Sequence, residues 1–389
     1  MIETVKLGDV ATVKGGKRLP KGTNLITTPN SHPYIRVRDL NNQYTLELND
    51  DFEYVDDETQ KTISRYIVGA GDIVLSIVGT IGLVAIVGES LHKANLTENC
   101  VKLTQLDGVD RDYLYYFLKS GLGQAEIAKG TVGAVQAKLP IKNIQDIDVV
   151  LPDISTQQKI SSILRSIDNK IDNNQKTNDN LQQQAAAIFA NFYDRAETEV
   201  GFTEIIQILG GGTPKTGESS YWNGNVPFFT PKDVGSPYTL TTEKTITEEG
   251  LAHCNSRLYP VNTVFVTARG TVGKVGLPGI PMAMNQSCYA LVGKDTHQLL
   301  VYFYTLKAVD RLKHKASGAV FDAITTRDFE SEIIMKLSDD DTKDFLNVAE
   351  PIYQAVLSNS IENLRLASLR DSLLPKLMTG EIDVSDIQL

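Results

Sequence analysis

The residues that could carry chemistry are few, and their spacing argues against catalysis. Leu209-Gly210-Gly211-Gly212-Thr213-Pro214-Lys215-Thr216 superficially resembles a phosphate-cradling loop. It lacks the Gly-Lys-Ser/Thr order that opens a helix onto the phosphates, so it reads as a plain Gly-rich loop. Pro152-Asp153 followed by Asp168-Asn169-Lys170 mimics the carboxylates and lysine of a metal-dependent nuclease. Such carboxylates must converge on one ion from adjacent strands, whereas Asp168–Lys170 falls within a heptad helix. Modifying a flipped adenine calls for an Asn/Asp-Pro-Pro-aromatic quartet, and the chain contains no Pro-Pro. His32, His92, His253, His297 and His314 show no paired metal-ligand spacing. Cys100, Cys254 and Cys288 are widely separated with no CxxC, which suits a reducing compartment better than disulfides or zinc. No catalytic residue, no metal and no cofactor of its own are therefore expected.

What remains is a question of which elements the chain builds. Its 389 residues suffice for two or three domains, and 41% hydrophobic with 22% charged residues is a globular composition. The opening Met1-Ile2-Glu3-Thr4-Val5-Lys6 has no apolar core segment, so no secretory leader is expected. The longest near-apolar run, Ile77–Gly88, is far short of the ~20 residues that span a bilayer. A soluble, cytoplasmic protein is the expectation. The net charge of −10 is unevenly spread: −3 over residues 1–150, −2 over 151–200, +1 over 201–336 and −6 over 337–389. The two large blocks are near neutral, and binding follows the local field, so nucleic acid is not excluded.

Internal similarity organises the chain. Gly79-Thr80-Ile81-Gly82 returns as Gly270-Thr271-Val272-Gly273, with Ile73-Val74-Leu75-Ser76 matched by Val264-Phe265-Val266-Thr267. Pro33-Tyr34-Ile35-Arg36 through Asp39 parallels Pro227-Phe228-Phe229-Thr230 through Asp233, and Gly133-Ala134-Val135 parallels Gly318-Ala319-Val320. The offset drifts from 194 to 185 with order preserved, as loop insertions would make it. Two copies of one unit follow. Each copy, about 1–150 and 201–336, reads as short strands cut by Gly, Pro and Asn clusters. Candidates are Tyr34–Val37, Ile73–Ile77, Leu83–Val87 and Val101–Leu103, then Phe228–Thr230, Val264–Thr267 and Tyr289–Val292. Arg111–Lys119 and Leu299–His314 read as helices, making an α+β domain.

Each copy is followed by a helix with a 4-3 apolar rhythm. Leu164, Ile167, Ile171, Leu181, Ala185, Ile188 and Phe192 carry it first, with Asn174 and Asn178 on the two missing beats. The second copy has Phe345, Ala349, Ile352, Val356, then Asn359 and Asn363, then Leu366, Arg370, Leu373 and Leu377. Sustained a/d periodicity signals a coiled coil, and a polar Asn in its seam fixes register at a cost in stability. Antiparallel pairing would set the Asn at mid-length, facing each other. A helix of ~38 residues is about 57 Å long, so it also acts as a spacer. The predicted fold class is α+β, with two similar globular domains separated by two long helices in an antiparallel coiled coil, pseudo-two-fold symmetric.

Several segments carry a family resemblance. They are Val5-Lys6-Leu7-Gly8-Asp9-Val10, Gly71-Asp72-Ile73-Val74-Leu75-Ser76 with Gly79–Gly82, Leu151-Pro152 with Gln157-Gln158-Lys159-Ile160, and Leu373-Leu374-Pro375-Lys376-Leu377-Met378-Thr379-Gly380-Glu381-Ile382. With the duplication, the chain resembles the specificity subunits of type I restriction–modification enzymes over essentially its whole length. The resemblance implies target-recognition domains at 1–152 and 198–337, spacer helices at 153–197 and 338–380, and a tail at 381–389. It implies a non-catalytic subunit that reads a bipartite, asymmetric double-stranded DNA target. Two adenine methyltransferase subunits, which bind S-adenosylmethionine, would grip the coiled coil, and restriction subunits would join them. Thr263 stands where the first copy has Asp72, so that acidic position is not expected to be required for function.

The expected DNA contacts are cations and hydroxyls at turns. Lys14, Lys17, Arg18 and Lys21 sit among glycines and a proline in a basic loop; Arg36 and Arg38 alternate on one strand face. Thr80 lies in the Gly79–Gly82 turn, and Lys138 completes the first-domain set. Lys215, Lys232, Arg269, Thr271, Lys313 and Lys315 are the second-domain counterparts. Scattered aromatics suggest no single-strand stacking platform. The rival reading is a coiled-coil structural adaptor presenting two protein-binding modules.

Overall fold

The computed structural model describes residues 3–41, 43–133, 135–315, 323–385 and 387. It divides into two compact units, Met1–Ile171 with Arg365–Leu389, and Asp172–Leu364. The centre of the first is a five-stranded sheet in the order Thr12–Gly15, Cys100–Thr104, Ile73–Ser76, Val84–Val87 and Thr45–Leu46. Ile73–Ser76 and Val84–Val87 are buried on successive residues because both faces of the sheet are covered. Ile73, Leu75, Val84 and Ile86 point into a core shared with Tyr113–Leu118 of the helix Arg111–Lys119. Val74, Ala85 and Val87 face the opposite way, onto Ile35, Leu40 and Leu96.

The second unit repeats this plan strand for strand. Its sheet runs Ile206–Gly210, Cys288–Gly293, Val264–Thr267, Val275–Pro278 and Tyr238–Thr239. Val264 and Val266 meet the helix Gln298–Lys315, while Phe265 turns to Phe229 and Met284. Tyr34–Ile35 pairs in parallel with Asn95–Leu96, and Phe228–Phe229 pairs likewise with Ala283–Met284. Glu3–Lys6 with Asp148–Leu151 and Thr198–Gly201 with Ile333–Lys336 are the corresponding closing ladders. The Gly318–Val320 match lies outside the described residues, as does Ala134.

One local expectation needs correction. Tyr34–Val37 is not one strand: only Tyr34–Ile35 is extended in a ladder, and Val37–Asp39 forms a 3-10 turn. The Asp39 carboxylate accepts the Arg36 amide at 2.7 Å and pulls the chain into that turn, as Asp233 does for Thr230 at 2.8 Å. Arg36 and Arg38 therefore do not alternate on a strand face. The sheet-covering helix also differs between copies. In the first it breaks at Ser120, which is extended (φ −66°, ψ 161°), before Gly121–Gly130; in the second it runs unbroken over Gln298–Lys315.

The long helices span Ile154–Asp194 and Asp339–Met378, 41 and 40 residues. In the first unit Ile160 and Leu164 pack in the core that holds Leu377 and Met378. In the second, Ala185 and Phe189 pack with Phe345, Ala349, Tyr353 and Val356. Partners that descend along one helix as they ascend along the other define antiparallel pairing. Asn174 Nδ2 donates to Asn363 Oδ1 at 2.9 Å and to Glu362 at 2.7 Å, and Asn359 Nδ2 donates to Asn178 Oδ1 at 2.8 Å. Asn174 and Asn178 are each only 5% exposed, so these bonds satisfy amides that would otherwise be buried unpaired.

Candidate nucleic-acid interface

One end of each sheet gathers the polar turns. The strands Ile73–Ser76 and Val264–Thr267 finish in turns closed identically. Gly82 N donates to Ser76 O at 3.1 Å and Gly273 N to Thr267 O at 2.8 Å. Ser76 Oγ donates to Thr80 O at 2.6 Å and accepts Leu83 N at 2.9 Å. Thr267 Oγ1 likewise donates to Thr271 O and accepts Lys274 N at 2.9 Å. Gly79 and Gly270 adopt φ of 81° and 84°, a conformation that disfavours any side chain, which is why glycine opens both turns. Thr80 and Thr271 are consequently held out in solvent.

The neighbouring segments also correspond. Gly16 and Gly211 approach the backbone oxygens at Thr97 and Asn285 so closely that a Cβ would lie 2.0 Å from each. Cys100 and Cys288 sit at matching points opposite Ser76 and Thr267, both buried. Burial raises both thiols, Cys288 to about 12, so they are packing residues rather than nucleophiles. Their equivalence was hidden from spacing alone, because one insertion shifts the offset to 188.

In the second unit this end forms a cleft of about 450 Å³ lined by Thr230, Lys232, Lys244, Arg269, Thr271 and Asn285, among others. It brings together Lys232 with Arg269 and Thr271, from two separate stretches of sequence. Thr271 Oγ1 donates to Pro231 O at 3.3 Å, and Lys232 lies 3.8 Å from Glu243. Lys244 and Asn285 were not anticipated; neither stands in a glycine-marked turn, the one signal available. Lys215 is exposed in the Gly-rich loop but does not line the cleft. That loop opens no α-helix: the strand Ile206–Gly210 leads through it to the short turn Ser219–Tyr221. Lys313 and Lys315 lie elsewhere. Lys313 lines a different groove beside Gly273, and Lys315 is held by the buried Glu332 together with Arg311.

In the first unit Lys14, Lys17, Arg18, Thr80 and Lys138 are exposed at the corresponding end. Arg18 pairs with Glu98 at 2.6 Å, and Lys17 sits over the Tyr66 ring. Lys21 is exposed beside Gly22. Arg36 and Arg38 both turn onto Glu53, Arg38 at 3.1 Å, and so are largely neutralised. Asp72 bonds Lys102 at 2.9 Å and accepts Gly69 N at 2.8 Å. In the second copy Thr263 and Ala290 take those two places, so both charges vanish together. Asp72 therefore serves the fold. Among the described residues no cluster of His, Cys, Asp or Glu could hold a metal ion, and no helix is long and apolar enough to cross a membrane.

Comparison with known proteins agrees with this architecture. The family model for the type I restriction modification DNA specificity domain matches residues 2–183 and 198–336. The type I restriction enzyme MjaIX specificity subunit of Methanocaldococcus jannaschii is 22% identical over 408 residues, covering 98% of this chain and 94% of that protein. The HindI specificity subunit of Haemophilus influenzae is 24% identical over 63% of this chain and 71% of its own length. The crystal structure of a type I restriction–modification S subunit from M. genitalium has the same fold, with a TM-score of 0.58 at 15% identity, covering 97% of this chain and 96% of that one.

Proposed function

The chain belongs to the type I restriction–modification DNA specificity family, and from that premise we propose that its two globular domains, 1–152 and 198–337, read the two halves of a split, asymmetric duplex DNA target. The observation that carries the reading is the sheet end. Two copies of one backbone frame, each with its turn threonine (Thr80 and Thr271), present different cations, with Lys14 and Lys138 in one and Lys232 and Arg269 in the other. A shared frame suits a shared ligand, duplex DNA, and unlike side chains suit unlike half-sites. The intervening helices, 153–197 and 338–380, would hold the domains at a fixed separation. Their acidic surface suits protein rather than phosphate, and two methyltransferase subunits would dock there, with restriction subunits joining the assembly. The chain supplies the address; adenine methylation, with S-adenosylmethionine, belongs to the partners, and the complex works in the cytoplasm.

The test is modification-sensitive sequencing of native DNA with the gene intact and deleted. Loss of one split motif carrying methyladenine in both halves is the expected result; a continuous or palindromic motif, or an unchanged methylome in cells that express the protein, overturns the proposal. The isolated chain should bind DNA weakly, since phosphate neutralisation supplies most non-specific affinity and its charge is unfavourable.

A further inference from the structure

The two sheet ends share one seat where the position of a cation changes strands. In the first unit Val78 bridges Lys138, and Leu139 N donates to Ile77 O at 3.0 Å. In the second, Arg269 bridges Ala323, and Ile324 N donates to Ala268 O at 2.9 Å. The backbone arrangement is the same, one residue before the positive-φ glycine of each turn. Yet Val78 and Ala323 are uncharged, while the cation is supplied by Lys138 from one strand and by Arg269 from the other. Each seat thus holds one cation, reached by different routes.

These two cations differ from several of those around them. Arg18, Arg38 and Lys232 are tied to Glu98, Glu53 and Glu243. Among the described residues neither Lys138 nor Arg269 has a carboxylate partner, and both are exposed. Arg269 stands two residues before the exposed Thr271, and Lys138 bridges Val78, two residues before the exposed Thr80.

We infer that this seat distinguishes the two half-sites: Arg269 reads a guanine edge, and Lys138 neutralises a phosphate. This rests on the proposal that the domains bind DNA. The chemistry separates the roles. A guanidinium is a planar fork that matches the O6 and N7 acceptors of guanine, whereas an ammonium is a point charge with freely rotating donors. Arg269 also stands in a cleft with Asn285 and Thr230, groups able to flank a base edge. Lys138 instead is exposed on a segment whose backbone bonds run both ways to Val132 at 2.9 Å.

The test uses the complex assembled with its methyltransferase subunits, and duplexes in which each base pair of the methylated motif is replaced in turn. Arg269→Lys is expected to lower discrimination at one G·C pair of one half-site by roughly 10–100-fold. Lys138→Ala is expected to weaken binding to every duplex alike, reducing the slope of log affinity against log salt by about one. An Arg269→Lys complex with unchanged base preference overturns the inference, as does a Lys138→Ala complex whose preference changes at one base pair. Lys138→Arg that keeps the original salt slope and motif supports it. A wild-type complex that methylates no split motif overturns instead the reading on which this rests.

Discussion

Three corresponding positions are filled by a polar triad in the first unit and by an apolar cluster in the second. Tyr116 of the sheet-covering helix donates to Asp168 at 2.6 Å, and Arg370 donates to the other oxygen of Asp168 at 2.8 Å. Asp168 is 6% exposed, so the carboxylate is satisfied entirely by protein. Although burial works against the charged form, the bonds to Asp168 and Asp371 hold the Arg370 guanidinium protonated. In the second unit the repeat puts Phe303, Tyr353 and Ala185 at those positions. Phe303 meets Tyr353 edge-on at 5.7 Å and stacks on Phe189 at 4.9 Å, with Ala185 fully buried beneath. The same helix junction is thus built twice, once from directional charged bonds and once from ring packing. The fold does not need the ion pair, because a well-packed apolar set offsets the same burial without a desolvation cost.

The largest expected effect tests that equivalence. Asp168→Asn leaves Arg370 with only the exposed Asp371 as counter-charge, and should cost about 3 kcal/mol. Amide exchange should quicken over Tyr113–Leu118 and not over Val301–Leu312, a local readout that suits a multi-domain chain. The triple exchange Tyr116→Phe, Asp168→Tyr and Arg370→Ala, which copies the second unit, should restore protection to at least the natural level. Failure of the triple exchange would show that the two packings are not interchangeable.

A second contrast lies in the Asp39 turn. Burial raises the Asp39 carboxyl to about 6, opposed by Arg38 and reinforced by Glu53. The folded form then holds a proton that the unfolded form has already released, so this group favours folding most below pH 4 and loses that contribution as pH rises to 6. The change is on the order of 2–3 kcal/mol. Asp39→Asn should keep the cap on Arg36 while flattening the pH dependence of exchange at the Arg36 and Leu40 amides.

The Asp72–Lys102 pair gives a smaller effect. Asp72→Thr or Lys102→Ala alone should cost about 1–2 kcal/mol, because each leaves a largely buried group unpaired. The two together, which reproduce Thr263 and Ala290, should cost less than either, and a double-mutant cycle by denaturant unfolding measures the coupling. Smallest of all is Lys232→Ala. Its exposed pair with Glu243 should leave stability unchanged, while the salt slope of DNA binding falls by about one.

Much of this was legible from spacing. The Gly79–Gly82 and Gly270–Gly273 turns had to be glycine-bounded, and a glycine at positive φ is visible in any sequence. The helix Arg111–Lys119 could be bounded by its apolar pattern because Asp110 caps it locally, accepting Tyr113 N at 2.8 Å. Arg36 and Arg38 were misread because β propensity at Tyr34–Val37 says nothing of a carboxylate three residues on that captures a backbone amide. The ion pair of Lys315 with Glu332 was not legible because the two residues lie too far apart in the chain for helical spacing to bring them together.

What the sequence determined by itself was the duplication, the strand and helix types and the seam positions of Asn174, Asn178, Asn359 and Asn363, since periodicity and glycine placement are local properties of the chain. Tertiary structure alone decided which cations meet a carboxylate, that Lys138 and Arg269 occupy equivalent seats from opposite strands, and that Asp168, Arg370 and Tyr116 meet. Those outcomes depend on distances between residues far apart in the chain, and electrostatics acts through space rather than along the sequence.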